Sequence, residues 1–112
     1  MQLIGDIALA KVTIDAGICG FTTTVIATSD DGQHISLDIE STCPHVARAA
    51  QELSSVDAYT DLFSKLHETS LYQILSQHVI HCACPVYVGI MKAIEVAAGM
   101  ALPKDATIHV EK

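Results

Sequence analysis

The hydrophobic period of this chain changes near Ser41, and that change limits the folds open to it. Through the first forty residues apolar side chains recur at alternate positions, and from Ser41 onwards they recur at helical spacing. Lys11-Val12-Thr13-Ile14-Asp15 alternates as a half-buried strand should, and His34-Ile35-Ser36-Leu37-Asp38-Ile39-Glu40 does so most cleanly. Between them Phe21 to Ser29 is rich in Thr, Val and Ile and reads as a further strand. Asp30-Asp31-Gly32-Gln33 supplies a hairpin turn in which Gly32 can take a positive φ.

The helical half begins at Pro44, with Val46, Ala49, Ala50 and Leu53 on one face until Ser54 and Ser55 interrupt it. A second helix is expected to turn Tyr59, Leu62, Phe63 and Leu66 inward. A third, capped by Thr69 or Ser70, carries Leu71, Ile74, Leu75 and His78. A long apolar helix starts at Pro85 and stops at Leu102-Pro103, and residues 106–111 alternate again as a closing strand. Apart from Lys92 and Glu95 the long helix is apolar almost all round, so it is either central to the fold or part of an oligomer interface. The expectation is one α+β domain over residues 1–112: a two-layer, four-stranded, mostly antiparallel sheet. Three N-terminal strands, a helical block and a C-terminal strand make it up, with helices on one face.

Half of the residues are hydrophobic, enough for a core that needs neither disulfides nor a metal to stay folded. Thirteen acidic residues against six scattered basic ones, a formal charge of −7, exclude a phosphate-binding surface for nucleic acid. Charged residues inside the long apolar stretch and Pro103 at its end argue against a membrane span. The first six residues lack a basic n-region and carry Asp6, so no export signal is expected. A cytoplasmic setting with reduced thiols follows.

That makes the four cysteines the chemistry to explain. Cys19 lies in a glycine-flanked turn, Cys43 follows the third strand, and Cys82 and Cys84 precede the long helix. Two chain reversals separate Cys19 from Cys43, which brings both to one edge of the sheet. The long helix should run away from that edge so that its following strand can return, and Cys84 then starts at the same edge. Cys43-Pro44 and Ala83-Cys84-Pro85 each set a cysteine before a proline suited to the first helical position. On that reading each sulfur sits at an N-cap, where free amides and the helix dipole favour thiolate.

Four such thiolates can hold an iron–sulfur cluster or a tetrahedral zinc. The spacing matches neither a bacterial ferredoxin run nor paired CxxC zinc motifs, but Cys-Pro resembles the dipeptide that ends the ferredoxin motif. A three-cysteine cluster with an open iron, leaving one thiol spare, is a further arrangement. His81 and His45 are additional candidate ligands. The ranking places an iron–sulfur centre ahead of zinc, held by Cys19, Cys43, Cys82 and Cys84, for electron transfer or redox sensing with a protein redox partner.

The alternative is a metal-free thiol protein using Cys84 or Cys43 for sulfur transfer or redox exchange. Cys84-Pro85 at a helix start resembles the Cys-Pro motif of small sulfur-carrier proteins, which implies Cys84 as the carrier, although Tyr87 replaces that motif's second proline. A cysteine nucleophile with His81 or His45 as base and Asp15 or Glu40 as orienting acid has no motif behind it, so the balance is against an enzyme. The third reading is a homo-oligomeric interaction protein whose cysteines are buried and inert.

Taken whole, the chain resembles a small family of uncharacterised proteins from anaerobic bacteria and archaea. The match rests on Asp15-Ala16-Gly17-Ile18-Cys19-Gly20-Phe21-Thr22-Thr23, Cys43-Pro44, Cys84-Pro85 and Ala97-Ala98-Gly99-Met100-Ala101-Leu102-Pro103. The resemblance implies no activity, and an anaerobic setting would suit an oxygen-sensitive cluster.

Overall fold

The computed structural model describes residues 2–4 and 7–112. Its sheet is an antiparallel meander of five strands in sequence order: β1 (Gln2–Ile4), β2 (Ile7–Asp15), β3 (Thr22–Ser29), β4 (His34–Ser41) and β5 (Ser55–Asp57). The helices are α1 (Pro44–Ala50), α2 (Ala58–Phe63), α3 (Ser70–Leu75) and α4 (Val86–Ala97), with a 3-10 turn at Leu66–Glu68. No helix among the described residues is long and apolar enough to cross a membrane.

The alternating strands do what their pattern requires. Val25 and Ala27 of β3 and Ile35 and Leu37 of β4 are buried on one face, while Lys11, Thr13 and Asp38 face water on the other. The turn between β3 and β4 has Gly32 at φ 76°. Asp31 secures it by accepting from the backbone N–H of Gln33 and His34 and by pairing with the His34 ring at 2.6 Å. That ring holds the Asp31 carboxyl well below the usual carboxylate range, and Asp31 in turn raises His34 above the ordinary histidine value.

The long helix α4 lies across β2 and β3 and is the centre of the core. Val86, Ile90, Ala93, Ile94 and Ala97 form its buried stripe, each 1% exposed or less. Every large member of that stripe contributes about 1.5–3 kcal/mol by leaving water. Lys92 and Glu95 pair at 3.0 Å on the outer side. The helix is therefore central to the monomer, one of the two roles its composition allowed. Gly99, at φ 77°, ends it, short of the stop expected at Pro103.

Three expectations are corrected. The closing strand is absent: residues 103–112 carry no regular structure, and Ile108 and Val110 are 78% and 84% exposed. The β4 edge carries instead an unexpected strand, β5, which pairs Ile35 with Val56 and lies in the Ser54-Ser55 break. The second helix is turned the other way: Tyr59, Phe63 and Leu66 are exposed, and Ala58 and Asp61 are buried. Asp61 decides that orientation. Its carboxylate accepts from Ser70 N–H, Ser70 Oγ and Leu71 N–H, satisfying amides at the start of α3 that would otherwise be unpaired. Thr69 caps the same helix as expected, its Oγ1 accepting from Tyr72 N–H at 3.0 Å.

The packing of α4 on the sheet depends on Gly89, where a Cβ would collide with Cγ1 and Cδ1 of Ile14. Replacing it by Ala gains about 1 kcal/mol of helix propensity but overpacks the layer by about 1–3 kcal/mol. Gly89→Ala is expected to lower the midpoint of thermal unfolding, as followed by circular dichroism; an unchanged or raised midpoint would show that the layers give way freely.

Candidate functional site

The loop after β2 is built to present Cys19. Asp15 Oδ1 accepts from Gly17 N–H, Gly20 N–H donates to the Gly17 carbonyl, and Ala16 N–H donates to the Phe21 carbonyl. Gly17 and Gly20 sit at φ 87° and 77°, so the reversal needs both glycines. Cys19 and Ile18 stand exposed at the tip.

Cys43 is held to the same end of the sheet by hydrogen bonds between β3 and the end of β4. Thr42 N–H donates to the Thr22 carbonyl, Thr22 N–H donates to Thr42 Oγ1, and the Thr23 and Ser41 hydroxyls meet at 2.8 Å. Cys43 is the N-cap of α1 with Pro44 following, as expected, and its own N–H donates to Ser41 Oγ. Its sulfur makes no capping hydrogen bond. Cys84 is displaced by one position from the expected arrangement. Pro85, not Cys84, is the N-cap of α4, and Cys84 lies in the preceding turn with its N–H on the His81 carbonyl.

A cavity of about 130 Å³ lies where these three segments meet, well above the roughly 10–15 Å³ a single water needs. Cys19, Cys43 and Cys84 all line it, and so do His45 and His81. Ile14 from β2, Val46 from α1 and Val86 from α4 supply apolar wall. Thiols from three separate stretches of sequence thus share one space, and all four cysteines are free. Cys82 does not line the cavity. It is exposed, and it adds least to raising the Tyr87 phenol above its ordinary value, after burial, Tyr72 and Cys84. Among the described residues no group of three or more His, Cys, Asp or Glu side chains is already arranged to hold a metal ion. Ligation at the cavity therefore requires the sulfurs to draw together.

The electrostatics differ from the helix-cap expectation for Cys84. Burial pushes its thiol up, the N–H of Val86 offsets this only in part, and Cys19 and Cys43 raise it further. Desolvation outweighs the helix terminus because the sulfur is half-buried beside apolar groups. Neither Asp15 nor Glu40 lines the cavity, so His45 and His81 have no orienting carboxylate within it. The cysteines are less buried than the third reading expected: Cys19 and Cys82 are exposed, and Cys43 and Cys84 are half-buried.

A second, more open cavity of about 380 Å³ runs between His34, Asp57 and Asp61. Its carboxylates are committed to structure. Asp57 accepts from Tyr59 and Thr60 N–H and from Gln33 Nε2, which holds it below the usual carboxylate value, and Asp61 anchors α3. The remaining histidines are peripheral: His34, His67 and His109 are exposed, and half-buried His78 pairs with Glu52.

Residues 10–110 match a family of unknown function, DUF6951, and the chain belongs to that family. No curated protein and no solved structure matches it.

A raised pKa leaves less thiolate at any given pH. Alkylation of Cys84 by iodoacetamide, followed peptide by peptide by mass spectrometry, is therefore expected to rise at higher pH than that of an unstructured thiol. Exposed Cys19 and Cys82 should be modified ahead of Cys84 at neutral pH. Equal reactivity of Cys84 and Cys82 would contradict this placement.

Proposed function

We propose that this protein binds a metal centre through the thiolates of Cys19, Cys43 and Cys84, an iron–sulfur cluster ahead of zinc, and serves in electron transfer or redox sensing. The observation that carries the reading is the convergence of the three thiols on one cavity at the end of the sheet. Raising three thiolates there without a cation is unfavourable, because each adds repulsion in a partly apolar space. A cation reverses this balance and deprotonates its thiol ligands outright. The apolar wall shields such a centre from solvent, and the exposed Cys19 loop offers a face to a redox partner. His45 and His81 are the candidates for any further ligand, and Cys82 is spare. An anaerobic setting suits a centre of this kind.

The metal-free alternative uses Cys84 or Cys43 to carry sulfur or exchange disulfides. One observation favours it, the absence of a preformed ligand group among the described residues. The elevation of Cys84 works against it, since a sulfur nucleophile acts as thiolate.

Iron, zinc and acid-labile sulfide are to be quantified on protein purified without oxygen, together with the visible spectrum. Stoichiometric iron and sulfide are expected, lost in Cys19→Ser, Cys43→Ser and Cys84→Ser and retained in Cys82→Ser. Zinc alone would make the centre a zinc site, and no metal in anaerobically prepared or reconstituted protein would overturn the proposal.

A further inference from the structure

The unpaired C-terminal segment and an unpaired length of β2 match one another. β1 pairs only with residues 7–9 of β2, and β3 occupies the opposite edge along residues 8–15. The outer edge of β2 over residues 10–15 has no strand partner among the described residues. A flat run of open N–H and C=O groups beside apolar side chains is a template for strand addition. Residues 106–111 are equally long and alternate: Ala106, Ile108 and Val110 on one side, Thr107, His109 and Glu111 on the other. Nothing in their own chain covers them, and no backbone–backbone hydrogen bond ties residues 103–112 to the rest among the described residues.

We infer that residues 106–111 of one copy add as an antiparallel strand to the open edge of β2 in a second copy, so that two chains exchange their C-terminal segments. The direction of the chain favours exchange over a return onto the same molecule. The C-terminal end of α4 lies at the hairpin end of the sheet, where a Cβ on Gly32 would come within 3.3 Å of the Ala98 carbonyl. β2 starts at that end, with Ala8 opposite Ser29, so a segment returning from α4 would run parallel to it. It would also have to pass β1. Aligned in parallel with Thr107 beside Lys11, it sets Glu111 beside Asp15, two like charges.

The antiparallel register avoids this. It places Glu111 opposite Lys11, His109 opposite Thr13 and Thr107 opposite Asp15 on the outer face. On the helix side it sets Val110 beside Val12 and Ile108 beside Ile14, extending the side of β2 on which Ile14 is already buried. Each copy offers one edge and one segment, so the exchange closes as a two-fold dimer.

Sedimentation analysis of the full chain tests this. The wild type is expected to be a dimer at micromolar concentration. Thr107→Pro with His109→Pro, which deletes two backbone donors that this register aims at the β2 edge, should be monomeric with an unchanged circular dichroism spectrum. Lys11→Glu should weaken the dimer several-fold, and Glu111→Lys added to it should restore association. A monomeric wild type, or a dimer that survives the double proline substitution, would overturn the inference. Neither result depends on whether the thiol cavity holds a metal.

Discussion

A side chain at position 89 would collide with Ile14, so α4 and β2 lie as near as they do only because residue 89 is glycine. Much of the molecule follows from that approach. It seats the Val86–Ile90–Ile94 stripe on β2 and β3 and completes the core. It also brings the start of α4, with Cys84 before it, to the end of β2, where the Cys19 loop begins. Cys43 reaches the same place by another route, through the hydroxyl and backbone bonds between Thr22, Thr23, Ser41 and Thr42. The cavity is thus a consequence of how two layers meet, with each thiol delivered by a different element.

The resulting environment carries two opposed influences. Helix-terminal amides favour ionised sulfur, as the Val86 N–H does for Cys84, while burial and neighbouring thiols oppose it. Burial prevails at Cys84, so in the metal-free protein its sulfur rests as a thiol. On the proposed reading, a bound cation would supply the charge compensation that the surrounding residues do not.

Most of the sheet was legible because its strands bury one face, which writes alternation into the residues. The same holds for the start of α1, where Cys43-Pro44 gives both cap and first turn. Elements whose residues are chosen for polar contacts were not legible in this way. α2 turns on Asp61, a buried carboxylate serving amides nine and ten residues away, and no periodicity announces that partner. β5 is only three residues long, too short to show a period. The convergence of Cys19, Cys43 and Cys84 was foreseen from topology, yet part of the reasoning assumed a returning strand that the chain does not form. α4 runs away from the thiol end regardless, because its apolar stripe must cross β2 and β3. Cys82, two residues from Cys84, falls outside the cavity because a turn separates them from a shared orientation. Gly89 carried a signal that could have been read: a lone glycine inside an otherwise strong apolar helix marks a close approach.

The most direct test of the three-thiol centre is an anaerobic titration of the reduced protein with Co²⁺, which reads thiolate ligation through ligand-to-metal charge-transfer absorption. The account predicts saturation at one equivalent, with an intensity that falls stepwise when Cys19, Cys43 or Cys84 is replaced by serine and is unchanged by Cys82→Ser. Absence of charge-transfer absorption, or its loss with Cys82→Ser, would contradict it.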